Sequence, residues 1–421
     1  MSIASPSYVR RHKAMLAAVA IITGMLGTAT TAVGASASAR SARSASSVEI
    51  AFKKKKPKPK PKPKPKPKPK KTTPTTAPST TPVTDLTPPN ASVGITEEGS
   101  TLLLPLFELW SDAYHQQYSN ISVTPGGGGS GKGLSDAANG VINIGASDAY
   151  LSSSQVLEYP GLKNVALAIS AQMINYNIPF LKPAGTHLVL SGQVLSEIYQ
   201  GKITEWNDPA ITALNPNAII PSLPIVTLHR SDSSGDTFIF SSFLSATDPN
   251  SWGNNIGYGT SVSFPTIPNA LGENGNGGMV SGCQATAGCI AYIGISYLQK
   301  TQAAGLGEAE LVNASGNAEL PTAASIAAES QELASSTPAN ETLSMIYDKA
   351  PGGYPIVNYE YGIIPPKEPD ANTAAAVRAF LYWAIDPAKG SSPTFLNQVN
   401  FQPLPTEVAD LSDKQIASIT N

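Results

Sequence analysis

Histidine and cysteine are scarce in this chain of 421 residues, with four of the first and two of the second. His12, His115, His187 and His229 are scattered, and no pair has the spacing of a zinc site. No cysteine stands near the N-terminal apolar segment, so a lipobox and the lipid anchor it would carry are absent. Long apolar runs are missing beyond the first thirty residues, which leaves no second stretch able to span a membrane. Positive charge is also short where it would matter for polyanions. Beyond residue 90 there are 11 Lys and Arg against 28 Asp and Glu, a net charge of −17. An acidic region of this kind argues against nucleic acid as a partner. It also means that a small anionic ligand would have to be held by local hydrogen bonds rather than drawn in by net charge.

What is present begins with an export pattern. Arg10, Arg11 and Lys13 precede an apolar run from Met15 to Gly27, and small residues follow, with A-x-A patterns at Ala35–Ala37 and Ala37–Ala39. Residues 1–39 read as a signal peptide or an N-terminal anchor; the apolar core is short for a span. Residues 40–91 form a linker rich in Lys and Pro, then Thr and Pro. Lys53–Lys56 lead into strict Pro-Lys alternation from Pro57 to Lys70. Such a tract has no apolar face to bury and is expected to be disordered and extended, at about 3.1 Å per residue. It reads either as a stalk drawn to anionic cell-wall polymers or as a solubilising spacer. In an exported chain the close pair Cys283 and Cys289 is expected to form a disulfide. The localisation implied is extracellular or associated with the cell envelope.

From residue 92 onward, helix-like and strand-like segments alternate. Leu103, Phe107, Trp110 and Tyr114 mark a helix over 102–118, and Val377, Phe380, Leu381 and Trp383 mark another over 374–385. A short helix is expected over 131–140 and a helix start at 238–244. Strands are expected at 121–124, 141–145, 165–177 and 225–228. The alternation is that of an α/β fold.

The run Gly126 to Gly129, followed by Ser130, Gly131, Lys132 and Gly133, nearly spells a nucleotide-binding P-loop. It fails at Gly133, which has no hydroxyl for magnesium. The physics of the loop remains: glycines let backbone N–H groups approach an anion, and Ser130 is expected to cap the following helix. Two more polar helix starts share this construction, Gly99-Ser100-Thr101-Leu102 and Ser233-Ser234-Gly235-Asp236-Thr237, with Arg230 just ahead of the second. Three helix starts and one guanidinium suit a tetrahedral oxyanion.

At these residues the chain resembles the PstS family, the phosphate-binding proteins of bacterial phosphate ABC transporters. The resemblance runs through GSTLLLPLF at 99–107, GSGKG at 129–133, IGASDAYLS at 144–152, GKITEWNDPAI at 201–211, HRSDSSGDTF at 229–238, GENGNGGM at 272–279, CIAYIGISY at 289–297 and FQPLP at 401–405. It implies a two-lobed periplasmic-binding-protein fold of type II, with a central ligand cleft and two chain crossovers, near 175–177 and 357–361. Lobe 1 would comprise 92–175 and 357–421, and lobe 2 would comprise 176–356. Inorganic phosphate would be held by the Thr101 hydroxyl, the Leu102 N–H, Ser130, Asp148, Arg230, Ser234, Gly235 and Asp236, and Asp232 would hold Arg230 in place. Ser233 stands where the family pattern leads one to expect glycine. The implied function is capture of phosphate and delivery to the permease subunits of an ABC transporter, with no catalysis and no cofactor. Other readings are a secreted phosphatase, which lacks a G-x-S-x-G frame around Ser130, and a cell-wall protein acting through the Lys-Pro tract.

A carboxylate beside phosphate makes chemical sense. Phosphate near neutral pH keeps at least one proton, which an ionised Asp148 can accept as a hydrogen bond, with Asp236 as a second acceptor. Sulfate has no proton to donate and would leave the carboxylate facing a bare anion. Arsenate is protonated like phosphate and is not rejected by this device.

Overall fold

Strand β1, Val93–Gly99, has the two-residue alternation of a half-buried strand: Val93, Ile95 and Glu97 are buried, while Gly94 and Thr96 are exposed. It opens the structure, a computed structural model that describes residues 87–421. The signal peptide or anchor expected at 1–39, and the Lys/Pro-rich linker up to residue 86, lie outside the described residues. After β1 come α1 (Leu104–Gln117), β2 (Ile121–Thr124), α2 (Ser130–Ala138), β3 (Ile144–Ser147), α3 (Ser153–Glu158) and β4 (Lys163–Tyr176). The middle of the chain supplies β5 (Val189–Leu190), α4 (Gly192–Tyr199), α5 (Pro209–Leu214), β6 (Val226–Arg230), α6 (Gly235–Thr247), β7 (Leu271–Glu273), α7 (Gly275–Ala285) and β8 (Cys289–Gly294). Then follow α8 (Leu298–Ala303), β9 (Gly307–Glu308), β10 (Glu310–Val312), β11 (Ala318–Glu319), α9 (Ala323–Leu333), β12 (Val357–Ile364), α10 (Ala371–Ile385), α11 (Pro393–Leu396) and α12 (Thr406–Ala417).

The main sheet has the order β2-β1-β3-β12-β4-β8-β6-β7, with β9 also on β4; β11-β10-β5 form a second, small sheet. β1 runs parallel to β2 and β3, and β6 runs parallel to β7 and β8. β4 joins the two parallel groups. Its residues 163–171 pair antiparallel with β12, and its residues 172–176 pair antiparallel with β8. Buried along almost its whole length, β4 reads as one apolar run, which is why its extent was legible in the sequence. Two aromatic clusters lie among the helices. Phe107, Trp110 and Tyr114 of α1 meet Phe380 and Trp383 of α10. Tyr199 of α4, Phe240 of α6 and Tyr292 of β8 form the other.

The strand expected at 141–145 starts three residues later. The Val141 N–H bonds Asp136 O at 2.8 Å, so the chain is still closing the end of α2, and Val141 is 69% exposed. Helix α1 likewise starts after the residues expected, because the Ser100 hydroxyl accepts the N–H groups of Leu102 and Leu103 in a turn ahead of it. Cys283, near the end of α7, and Cys289, the first residue of β8, form the expected disulfide, with their Cα atoms 5.3 Å apart. Among the described residues no helix is long and apolar enough to cross a membrane.

Candidate functional site

Helices α1, α2, α6 and α7 follow the parallel strands β1, β2, β6 and β7, and their starts converge. Crevices at the carboxyl ends of parallel strands are where open α/β sheets bind ligands. Gly129 N–H donates to Gly99 O at 2.8 Å, and Gly131 N–H donates to Ser233 O at 2.9 Å, which ties the starts of α1, α2 and α6 together. Asn276 of α7 donates from its backbone N–H and its Nδ2 to Thr101 Oγ1, both at 3.1 Å. The first-turn N–H groups at Ser130, Gly235 and Asp236 have no acceptor within their own helices.

Arg230, the last residue of β6, lies at the centre with its side chain 1% exposed. Its Nε donates to Asp232 Oδ1 at 2.7 Å, Nη2 bonds the other oxygen of Asp232, and Nη1 bonds Asp236 Oδ2. The expected pairing with Asp232 is therefore made through Nε and Nη2, and Nη1 is left for Asp236. Asp236 also accepts from Gln172 Nε2 at 3.0 Å, Asn276 Nδ2 at 2.8 Å and Ser234 Oγ at 3.4 Å. Ser234 caps α6, accepting the Thr237 N–H.

Asp148, just after β3, is buried and accepts from Ser100 Oγ on Oδ1 and from Ser130 Oγ on Oδ2, the latter at 3.4 Å. Its own N–H donates to Ser130 Oγ at 3.2 Å. These contacts correct the expectation that Ser130 caps α2. Gly129 is the capping residue, at φ 90°, where a side chain would be strained; that frees the Ser130 hydroxyl to bond Asp148. The missing hydroxyl at Gly133 also finds its reason. A Cβ there would lie 2.5 Å from Glu98 O and 2.8 Å from Ala146 O, so glycine is required for α2 to pack on β1 and β3.

Burial pushes the Asp148 carboxyl up to about 7, and the charge of Asp236 adds to this, while Glu360, Ser100 and Arg230 pull the other way. Asp236 is also raised, by burial, against the pull of Arg230. Burial raises Asp232 too, yet the bond and charge of Arg230, with the Gly275 N–H, leave it below the usual range. Arg230 is held charged by Asp236 and Asp232 in spite of burial.

The structure thus brings Ser130, Asp148, Arg230, Ser234, Gly235 and Asp236 together, with Asp232 on Arg230. Thr101 stands at the edge of the group, and the Leu102 N–H points at Ser100 Oγ, 3.1 Å away. Sequence reasoning missed Ser100, Gln172, Asn276 and Glu360. All four are buried polar residues, and all but Ser100 lie outside the three helix starts. Among the described residues no cluster of three or more His, Cys, Asp and Glu side chains could hold a metal ion. A guanidinium, hydroxyls and free helix N–H groups suit a small oxyanion, and the buried carboxyls add acceptors for a proton that it carries.

Comparison with known proteins agrees with this chemistry. A family model described as a PBP superfamily domain matches residues 71–388. The phosphate-binding protein PstS of Xylella fastidiosa is 31% identical over 323 residues, 76% of this chain and 85% of that protein. PstS of Haemophilus influenzae is 29% identical over 321 residues, 76% of this chain and 92% of that protein. The structure of PfluDING, a periplasmic phosphate-binding protein solved with phosphate bound, superposes with a TM-score of 0.59 at 22% identity, covering 78% of this chain and 99% of that one. The fold is the mixed α/β fold of the periplasmic phosphate-binding proteins, and the chain belongs to the PBP superfamily and, within it, to the PstS family of phosphate-binding proteins.

Proposed function

We propose that this chain is an extracytoplasmic solute-binding protein that holds inorganic phosphate in a cleft between two lobes and delivers it to the permease subunits of a phosphate ABC transporter. The observation that carries this reading is the convergence of three helix starts on one buried guanidinium, with the Asp148 carboxyl among them. Phosphate oxygens would take the N–H groups of Ser130, Gly235 and Asp236, the Thr101 hydroxyl and the remaining donors of Arg230; the Ser130 and Ser234 hydroxyls would turn to them from their 3.4 Å contacts with Asp148 and Asp236, and the Leu102 N–H from Ser100 Oγ. Asp148 would accept the P–OH proton. Asp236, already bonded by four donors, would act through its N–H and by keeping Arg230 in place. The change of partner along β4, from β12 to β8 at Gln172, supports lobes of 92–175 with 357–421 and of 176–356. Ser130 and Asp148 then belong to the first lobe, and Arg230 and Ser234 to the second. This is capture and release, with no bond made or broken in the ligand.

Calorimetry with phosphate, arsenate and sulfate tests the reading. Phosphate and arsenate should bind and sulfate should not. Arg230→Ala, which leaves Asp232 and Asp236 without their counter-charge, should weaken phosphate binding by about a hundredfold. Absence of phosphate binding by the intact protein overturns the function, and near-normal affinity in Arg230→Ala moves the site elsewhere.

A further inference from the structure

Behind Asp148, on the side of the sheet's centre, lies a second carboxyl that the binding scheme does not use. Glu360 stands in β12 and is fully buried. The ladder between β12 and β4 shifts register between Glu360 and Tyr361, an irregularity of the kind that re-aims a side chain. Ser170, on β4, donates its hydroxyl to Glu360 Oε1. The Glu360 and Asp148 carboxyls act on each other electrostatically: a hydrogen bond from Glu360 favours the Asp148 anion, and the charge of Asp148 raises Glu360, which burial already pushes up. Asn358, two residues earlier and on the same face of β12, bonds the Asp148 carbonyl through Nδ2 and fixes where Asp148 sits.

Two carboxylates cannot share so dry a place without a proton between them. Taken as an anion, Glu360 leaves Oε2 buried and without a donor. The donors available are unequally divided. Asp148 has hydroxyls on both oxygens and the charge of Arg230 nearby, whereas Glu360 has only the Ser170 hydroxyl. Asp236 on α6 adds a negative charge that acts on both carboxyls. Asp148 is therefore the better anion of the pair and Glu360 the better acid.

We infer that Glu360 is a positioning residue for the bound anion: it stays protonated, donates its O–H to Asp148, and so keeps Asp148 oriented as the acceptor for the ligand's P–OH. This rests on the phosphate reading given above. It adds a reason why a strand that is apolar and aromatic apart from Asn358 carries a glutamate at its centre. A neutral Glu360 also limits the charge around the cleft, where Asp148, Asp232 and Asp236 already outnumber Arg230.

The test compares phosphate affinity across about pH 6 to 8 for the wild type, Glu360→Gln and Glu360→Leu. Glutamine offers an N–H where the acid offers its O–H, so Glu360→Gln should stay within about threefold of the wild type and follow the same pH profile. Leucine offers nothing, and Glu360→Leu should bind about tenfold more weakly. Tighter binding with a flattened pH profile in Glu360→Gln would mean that Glu360 is ionised, and unchanged affinity in Glu360→Leu would mean that it positions nothing; either result overturns the proposal. Should a variant fail to give a wild-type-like melt, the carbon-13 carboxyl resonance of Glu360 in the wild type decides. A neutral-acid position at about pH 7 supports the proposal and an ionised position overturns it. This reading needs no ligand, so a wild type that does not bind phosphate would count against the function while leaving the Glu360 proton measurable.

Discussion

Asp148 receives hydrogen bonds from Ser100 and Ser130, one on each carboxyl oxygen, so the protein's own hydroxyls orient both oxygens. An ionised carboxylate in that position can accept a hydrogen bond from the P–OH of phosphate, and sulfate has no such proton to donate. The substitution Asp148→Asn would keep the shape of the side chain, remove its charge and add an N–H donor. Discrimination of phosphate against sulfate should then fall by about tenfold or more, read from competition titrations. Selectivity equal to the wild type would remove the acceptor role. Asp148 was legible because it lies in a recognisable segment beside a strand. Glu360, Ser170 and Gln172 were not, although a signal existed. Ser170 with Gln172, and Asn358 with Glu360, are polar pairs two residues apart in largely apolar stretches of their strands, which places each pair on one face. What that face meets depends on β4 and β12 lying side by side, and they are separated by nearly two hundred residues.

Among the elements, the helix starts form the proposed site, and the glycines there mark how closely they meet. A Cβ on Gly235 would stand 2.4 Å from Asp148 Oδ2 and 2.5 Å from Ser130 Oγ. Gly235→Ala should therefore push the start of α6 away from α2 and Asp148. Phosphate affinity should drop by about tenfold or more while the melt stays near that of the wild type, because alanine suits a helix better than glycine. Wild-type affinity in that variant would show that the three starts do not close on the ligand together. The strands and helices themselves were largely readable from their periods, as at β2 and β4. The misplaced boundaries, at the start of β3 and of α1, lie where Asp136 O and Ser100 Oγ accept backbone N–H groups and hold a turn just ahead of the element.

Across the whole molecule, buried acids are spread well beyond the cleft. Glu329, Glu341 and Glu368 are each pushed up to about 7 by burial. Glu341 accepts the Ala166 N–H and the Ser412 hydroxyl, tying β4 to α12. Unfolding would return these groups to the ordinary glutamate value, about 4.3. Between that value and about 7 the folded protein holds protons that the unfolded chain has released, so their contribution to stability is largest at low pH and is lost as pH rises through about 7. The Tm should be higher at about pH 5 than at about pH 8, and Glu341→Gln should reduce the difference. A Tm that rises steadily over that range contradicts the assignment of these acids as neutral when folded. The acidic balance of the region beyond residue 90 acts in the same direction, since raising the pH adds negative charge to a chain that is already negative.

The α/β pattern, the disulfide pair, the export signal and linker as expectations, and three polar helix starts with an arginine beside them could all be read from the order of residues alone. These are local properties, set by residues within a turn or two of one another. It took the folded arrangement to establish that those starts meet, that Gly129 rather than Ser130 caps α2, that Asp236 is bonded by four donors, and that β12 brings Asn358 onto the Asp148 carbonyl with Glu360 on the same face. Which buried polar groups share a proton depends on strands brought together by the sheet, and no local pattern encodes that pairing. From the sequence the site is an inventory of donors for an anion; the fold adds buried carboxyls among those donors, and the reading proposed above gives them the proton that the anion carries.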